Sequence, residues 1–441
     1  MPIVFCGISQ DRTTTPVIPP PEGGRNPVQT RRQFLGAMSL PAAAALAGAG
    51  FRPASAESFN PERARDLARY PGSARDLAGD ETFWSEVQRA FTVDRSLVNL
   101  NNGGVSPSPA FVQDAMKKHL DLSNKAPTYY MWQIQEPMRE GVRKRMAREW
   151  GVDPEEIAFV RNASEGLQTL QLGMDLGPGD EVLTTTQDYP RMITTFRQRA
   201  RREGVVLKQI EVPVPAEDPS EVVRRFEEAV TERTRMILIC HTINLTGQIF
   251  PVKELCELGR RKGVPVIVDG AHGLAHFDFT LADLGCDYYA TSLHKWLFAP
   301  HGTGLLYVRR DRIPDLWPLM AAPERMDDDI RKYEEIGTHP AANYLAIGEA
   351  LTFHQSLGGE RKEARLRFLR DYWAHALMEH DRFHLNTSLD PRFSCGIGNV
   401  QLEGIDSGQL NQWLWQEHRI ITVAIKHARS EERRVGKECA T

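Results

Sequence analysis

Two charged residues, Asp269 and Lys295, each follow a short segment with the composition of a buried strand. Asp269 ends the apolar run Pro265-Val-Ile-Val, and Lys295 comes shortly after Asp287-Tyr-Tyr-Ala-Thr. In open α/β sheets, ligands bind at the carboxyl ends of the parallel strands, where such side chains converge. We therefore predict that this carboxylate and this amine share one site.

An amine and a carboxylate in this arrangement suit pyridoxal 5'-phosphate. The cofactor's aldehyde requires a lysine for a Schiff base, and its ring nitrogen stays protonated beside a buried carboxylate. Lys295 and Asp269 are the predicted catalytic residues. Taken singly, an aspartate after a strand is most often a turn or helix cap, and a loop lysine is most often solvated. The convergence of both with Ser292, His294 and a Gly-Thr-Gly at position 302 favours the cofactor.

Donors for the phosphate are predicted where the strand Ile157–Val160 passes into a helix. Backbone amides at a helix start bind anions, and this turn offers the amides of Ala163 and Ser164 with the Ser164 hydroxyl. The same serine fits an ordinary capping box, and the sequence leaves both interpretations open. Ser292 and His294 are predicted as further donors.

Three other residues are candidates for contact with the cofactor's ring. Tyr189 follows a predicted strand and is predicted to stack on the ring, although a buried core tyrosine is the alternative. Asn244 is predicted to bond the phenolic oxygen; its Asn-Leu-Thr triplet also fits an N-glycosylation pattern. His272 is predicted to pack beside Asp269 or to orient it, with a core histidine as the alternative.

Short apolar strands alternate with amphipathic helices beyond residue 96, which predicts an α/β fold. The expected fold is a mainly parallel, seven-stranded sheet flanked by helices, with a smaller C-terminal α+β domain. We predict an N-terminal helical arm at 57–95, a large cofactor-binding domain at 96–343 and a small domain at 344–428. The predicted strands are Leu97–Leu100, Ile157–Val160, Glu181–Thr185, Val205–Val212, Arg235–His241, Pro265–Asp269, Asp287–Thr291, Gly304–Val308 and, in the small domain, Cys395–Leu402.

The two ends of the chain differ in composition from the rest. Residues 1–56 contain the pair Arg31-Arg32, an uncharged stretch rich in Ala and Gly, and a closing Ala54-Ser55-Ala56, which predict a leader for twin-arginine export to the periplasm. The alternative is a chance arginine pair before a buried helix, which would leave the protein cytoplasmic. Residues 429–441 resemble a translated sequencing adapter, so the small domain is expected to be truncated; a charged, solvated tail is the alternative.

Composition excludes several other functions. The net charge is −4 and the basic residues do not cluster, so no nucleic-acid surface is predicted. No apolar run after the leader reaches the ~20 residues of a membrane span. The six cysteines show no C-x-x-C spacing, so neither a metal site nor a disulfide framework is expected.

Residues from about 99 to 428 resemble the class V aminotransferase family, and within it the isopenicillin N epimerase-like branch. The resemblance implies a fold of the aspartate-aminotransferase type and a homodimer with shared active sites, in which Gly337 and Thr338 reach the phosphate of the neighbouring subunit. The family more often has a histidine where Tyr189 is placed here, and no residue matches its carboxylate-binding arginine. The matching segments are Asn101-Asn-Gly-Gly104, Arg161-Asn-Ala-Ser-Glu-Gly166, Asn244-Leu-Thr-Gly247, Val268-Asp-Gly-Ala-His272, Ser292-Leu-His-Lys295 and Ile336-Gly-Thr338.

The resemblance implies an amino substrate whose α-proton is taken by Lys295. Returning the proton to the other face gives epimerisation, returning it to the cofactor gives transamination, and loss of a β-substituent gives elimination. The sequence leaves this choice open, with an aminotransferase or epimerase expected first and a lyase or desulfurase second. Desulfuration requires a mobile cysteine, whereas Cys395 is predicted in a strand. A non-catalytic protein that binds the cofactor is the alternative of another class.

Overall fold

The computed structural model describes residues 61–425. Within this range a seven-stranded sheet has the strand order β2-β8-β7-β6-β5-β3-β4, in which only β8 runs against the others. The predicted seven-stranded, mainly parallel sheet is confirmed. The strands of the described chain are β1 Val98–Asn99, β2 Ile157–Val160, β3 Glu181–Thr185, β4 Val206–Ile210, β5 Thr234–Cys240, β6 Val266–Asp269, β7 Tyr288–Ser292, β8 Gly304–Val308, β9 Phe383–Leu385, β10 Val400–Leu402 and β11 Ile420–Ile421.

Helices cover the sheet and form the regions before and after it. Near-continuous apolar strands such as β5 and β6 are buried along almost their whole length, as expected for a sheet packed between two helical layers. The α-helices are Pro61–Arg69, Ala74–Leu77, Glu81–Gln88, Ala110–Lys125, Pro127–Tyr129, Glu136–Glu149, Ala163–Gly173, Pro190–Glu203, Pro219–Ala229, Val252–Lys262, Leu281–Leu284, Ala341–Leu345, Ile347–Leu357, Gly359–Met378 and Ser407–His418, with a π-helix at Tyr130–Gln135.

The N-terminal arm consists of three short helices up to Gln88. Asp80 caps the third by accepting bonds from the amides of Thr82 and Phe83, at 2.9 and 3.3 Å. Phe83 and Trp84 are buried in a cluster with Phe353 of the helix Ile347–Leu357. The arm is therefore packed onto helices that follow the large sheet.

Two predicted strands differ from the structure. β1 was expected in the large domain, but it pairs in parallel with β11 near the end of the described chain. The segment predicted as a strand from Cys395 forms one only at β10, which pairs with β9. Residues before β10 bond to side chains instead: the Gly396 amide donates to the ring of His276, and the Asn399 amide donates to Thr387 Oγ1.

The proposed boundary between a large and a small domain stays a prediction. The predicted leader at 1–56 and the adapter-like tail at 429–441 lie outside the described residues. Among residues 61–425, none of the helices combines the length and apolar character that a membrane crossing needs.

Candidate active site

Asp269 is the last residue of β6, the central strand of three that run in parallel. Its backbone pairs with Cys240 of β5 and Ala290 of β7. The side chain is 4% exposed, and its Oδ1 accepts a bond of 3.0 Å from the Ala271 amide. Burial raises the pKa of this carboxyl to about 6, although Lys295 opposes the rise. A cation placed against Asp269 would favour its ionised form.

Lys295 lies three residues beyond β7 and reaches the segment that follows β6. Its Nζ is 2.9 Å from Nε2 of His272, which lies three residues after Asp269. The imidazole of His272 is buried, and burial keeps its pKa well below the usual range. The structure therefore joins the two segments that the sequence singled out.

Glycines allow the chain after Asp269 to turn closely over β7. A Cβ at Gly270 would lie 2.0 Å from the ring of Tyr289, and one at Gly273 would lie 2.4 Å from its hydroxyl. The Tyr289 hydroxyl in turn lies 3.2 Å from Nδ1 of His241. Only a residue without a side chain fits at either glycine, so the position of His272 depends on both.

The predicted phosphate donors lie together where the helix Ala163–Gly173 meets β7. Asn162, not Ser164, caps this helix by accepting the Glu165 amide at 2.9 Å, so the capping-box interpretation of Ser164 is wrong. The Ala163 amide donates to Ser292 Oγ at 2.9 Å. The Ser292 hydroxyl hydrogen and the Ser164 groups therefore remain to face an anion, and their role with phosphate stays a prediction.

The Nδ1 of His294 already has a partner within the protein, and the predicted role of His294 as a phosphate donor stays a prediction. Its Nδ1 lies 3.0 Å from the Thr303 carbonyl oxygen, which can only accept, so Nδ1 carries the hydrogen. Burial lowers the pKa of His294 to about 4, whereas an anion bound at Nε2 would favour the protonated ring, which can donate. The carbonyl of His294 accepts the Ser106 amide at 3.0 Å, which anchors the lysine turn.

Three buried polar oxygens without a hydrogen-bond partner lie beyond the ends of β3 and β5. They are Asn244 Oδ1, Thr242 Oγ1 and Asp188 Oδ1. Because a buried polar atom is rarely left unpaired, these atoms mark a place where a polar ligand fits. Asn244 was predicted, whereas Thr242 and Asp188 were missed. Thr242 lies two residues after the end of β5 and Asp188 three residues after the end of β3, and this position was the signal that could have found them.

Asp188 is the more consequential of the two missed residues. Its Oδ2 accepts bonds from Thr184 Oγ1, the Thr185 amide and Thr185 Oγ1, at 2.6 to 2.8 Å. Burial raises the pKa of the carboxyl, and its charge opposes ionisation of Asp269. The next residue, Tyr189, is half-buried and packs against the core cluster that includes Ala163. Its stacking on the cofactor stays a prediction.

Gly337 and Thr338 are exposed and border a cleft of about 520 Å³ that also contains Trp132, Arg139 and His339. Gly337 has a φ of +75°, which favours glycine. In the part of the chain that the structure describes, no hydrogen bond links the pair to the Lys295 segment. Their predicted reach to a neighbouring subunit stays a prediction.

The cysteines of the described chain offer no reactive thiolate. Cys395 is fully buried with its Sγ 3.7 Å from the His276 carbonyl oxygen, and burial raises its pKa to about 12. Cys240, Cys256 and Cys286 are also buried, and burial raises their pKa values. No cluster of three or more potential metal-binding side chains occurs within residues 61–425.

A buried carboxylate, a lysine amine and unpaired polar atoms at one edge of a parallel sheet fit a pyridoxal-phosphate enzyme. Asp269 would hold the ring nitrogen, Lys295 the aldehyde carbon, and Asn244 a polar ring substituent. The aminotransferase class-V family model matches residues 98–434, and the chain belongs to this family, which depends on pyridoxal phosphate.

Known proteins agree with this assignment. The isopenicillin N epimerase of Streptomyces clavuligerus is 30% identical over 362 residues, which cover 76% of this chain and 89% of the epimerase. A cysteine desulfurase of Haloferax volcanii is 27% identical over 331 residues, covering 71% and 76% of the two chains. A solved structure of a C-DES mutant, with glycine covalently linked to its pyridoxal-phosphate cofactor, has a TM-score of 0.67 at 21% identity. The superposition covers 76% of this chain and 90% of the C-DES chain, and it supports the fold.

Proposed function

We propose that this protein moves a proton at the α-carbon of an amino acid, as an epimerase or, with the proton returned elsewhere, as an aminotransferase. The observation that carries the proposal is the contact of 2.9 Å between the Lys295 amine and the neutral ring of His272. The amine is held at this distance by a group that can donate or accept a hydrogen bond. Lys295 is therefore placed to act as a general base.

The surrounding residues support this chemistry. When bound, the cofactor withdraws electrons from the α-carbon and so weakens its C–H bond. Asp269 would hold the protonated ring nitrogen, and because this carboxylate is buried its charge would act there with little screening by water. Asn244, Ser164 and Ser292 would orient the bound group by hydrogen bonds.

Epimerisation is the preferred outcome because the 30% identical relative that spans most of this chain is an epimerase. We infer that the substrate is an amino acid with a chiral α-carbon carrying one hydrogen.

Solvent-proton exchange at the α-carbon provides the test. Purified protein loaded with cofactor is incubated in deuterated buffer with a panel of L- and D-amino acids. Mass spectrometry then measures deuterium at the α-carbon, and chiral chromatography measures inversion. Lys295→Ala should abolish both, by about a thousandfold or more. Lys117→Ala, which removes an exposed surface lysine, is the matched control. Absence of exchange with every substrate, from protein that binds cofactor, contradicts the proposal.

Cleavage of a carbon–sulfur bond is the second candidate, because a relative that covers 71% of this chain is a cysteine desulfurase. Desulfuration through a protein thiol requires an accessible thiolate, and Cys395 is buried with a raised pKa. The described residues therefore favour proton transfer over this route.

We also propose a homodimer in which Thr338 contributes to the neighbouring subunit's site. Its exposure, and that of the nearby apolar side chains Tyr129, Trp132 and Met138, supports this arrangement. Analytical sedimentation measures the oligomeric state. In mixed dimers, Lys295→Ala and Thr338→Ala subunits should together regain activity, because one of the two composite sites is then intact. A monomer with full activity would contradict the proposal.

Export by the twin-arginine route is proposed from Arg31-Arg32 and the small residues at 54–56. Cell fractionation with N-terminal sequencing tests it, since processing should leave Glu57 as the first residue. An uncut protein in the cytoplasm would refute export.

A further inference from the structure

Trp296 follows the lysine and is held rigidly on two sides. Its ring stacks on His276, with centroids 3.6 Å apart and planes at 3°. Its carbonyl oxygen accepts a bond of 2.8 Å from Nζ of Lys362, a buried residue of the helix Gly359–Met378. The stacking and the burial of Trp296, which is 4% exposed, hold the plane of the indole and so the direction of its N–H.

The indole N–H determines which nitrogen of His272 carries a hydrogen. Trp296 Nε1 lies 3.4 Å from His272 Nδ1, and an indole nitrogen can only donate. Nδ1 of His272 is therefore the acceptor. Because the buried ring is neutral, its single hydrogen is on Nε2.

This tautomer defines the contact with the lysine. In this tautomer the Nε2–H of His272 faces Lys295 Nζ, and the two nitrogens are 2.9 Å apart. A hydrogen-bond donor therefore lies against the nitrogen that must offer a lone pair when it attacks an aldehyde or accepts an α-proton.

His276 has the opposite tautomer for an equally local reason. Its Nδ1 lies 2.7 Å from the His272 carbonyl oxygen and must donate, whereas its Nε2 accepts the Gly396 amide at 2.9 Å. Both ring nitrogens are thus committed, and His276 acts on Trp296 through stacking alone.

We propose that Trp296 is a positioning residue that fixes the Nε2-protonated tautomer of His272, so that His272 presents a hydrogen-bond donor to Lys295 Nζ. The inference deepens the proposed proton transfer and rests on it for its catalytic consequence. The tautomer itself is independent of which reaction the enzyme performs.

The test compares Trp296→Phe with the wild type in the cofactor-loaded enzyme. Phenylalanine keeps an aromatic ring against His276 and removes only the donor. Nitrogen-15 NMR of labelled histidine reports the tautomer directly, with the His272 signal assigned by its loss in His272→Asn. The wild type should show the Nε2-protonated form, and Trp296→Phe should show a mixture or the Nδ1-protonated form.

The kinetic expectation separates positioning from substrate binding. In Trp296→Phe, kcat for α-proton exchange should fall about tenfold, the value of one ordinary hydrogen bond, with KM changed less than about twofold. Trp150→Phe is the matched control, since Trp150 is equally buried and stacks on His354. It should change neither tautomer nor kcat.

An Nδ1-protonated His272 in the wild type, or an unchanged tautomer in Trp296→Phe, overturns the inference and leaves the proposed function intact. Failure of proton exchange in the wild type overturns the proposed function, while the NMR result still decides the tautomer. If Trp296→Phe does not fold, Trp296→benzothienylalanine, which has the shape of tryptophan without the N–H, gives the same comparison.

Discussion

Replacing Asp269 by asparagine should stabilise the cofactor-free protein while it destroys activity. The buried carboxyl has a pKa of about 6 instead of 3.8, because burial disfavours its charged form. Well below pH 4 the carboxyl is protonated in both the folded and the unfolded protein, so its burial costs no stability. As pH rises from about 4 to about 6, the unfolded chain loses the proton first, and the free energy of unfolding falls. At about 1.4 kcal/mol for each pH unit, the folded state is destabilised by about 3 kcal/mol above pH 6.

Asparagine carries no charge and can still accept the Ala271 amide through its side-chain oxygen. The free energy of unfolding of Asp269→Asn, compared with the wild type, should therefore rise by about 3 kcal/mol between pH 4 and pH 7. Urea unfolding followed by tryptophan fluorescence measures this difference. In the cofactor-loaded protein this difference in the free energy of unfolding should shrink or reverse. The reason is that the cofactor's positive ring nitrogen would stabilise the carboxylate of the wild type.

A mutant less stable than the wild type at pH 7 without cofactor would refute the reasoning. So would a difference between the two proteins that does not change with pH, since the cost is electrostatic. Loss of activity in Asp269→Asn is expected in either case and does not discriminate.

Three further changes test other parts of the structure. Cys395→Ala should leave α-proton exchange within about twofold, because the thiol is buried and faces a carbonyl; sulfide release from cysteine that depends on Cys395 would instead support desulfuration. Gly270→Ala should lower stability by about 3 kcal/mol or more, since its Cβ would overlap the neighbouring tyrosine ring, whereas Gly141→Ala, with open space on a helix, should raise it by about 0.5–1 kcal/mol in thermal unfolding. Asn244→Ala should weaken cofactor binding about tenfold in a spectroscopic titration, because the polar atom facing the ligand is lost; unchanged affinity would remove Asn244 from the site.

The local pattern of apolar and polar residues was sufficient to predict most of the fold. Strands β5 and β6 are apolar along nearly their whole length, and helices such as Val252–Lys262 have clear ends, so both could be located in the sequence. The same pattern placed Asp269 and Lys295 at strand ends. Parallel strands bring such ends to one edge, so the central pair of the site could also be predicted.

Pairings between distant segments could not be read from local pattern. Strand β1 pairs with β11, more than three hundred residues later, and two-residue strands carry almost no periodic signal. The segment at Cys395 has strand composition, but its backbone bonds to side chains of His276 and Thr387 that only folding brings near.

Protonation and hydrogen-bond direction were likewise decided by tertiary structure. The sequence predicted His294 as a donor, and only the structure shows that its Nδ1 lies against the Thr303 carbonyl, which leaves Nε2 as the nitrogen that could face a ligand. The sequence predicted that His272 packs beside Asp269 or orients it, whereas the structure shows that its ring contacts Trp296 Nε1 and Lys295 Nζ. Residue types fix which groups can donate or accept, whereas burial and the position of each partner fix which of them do.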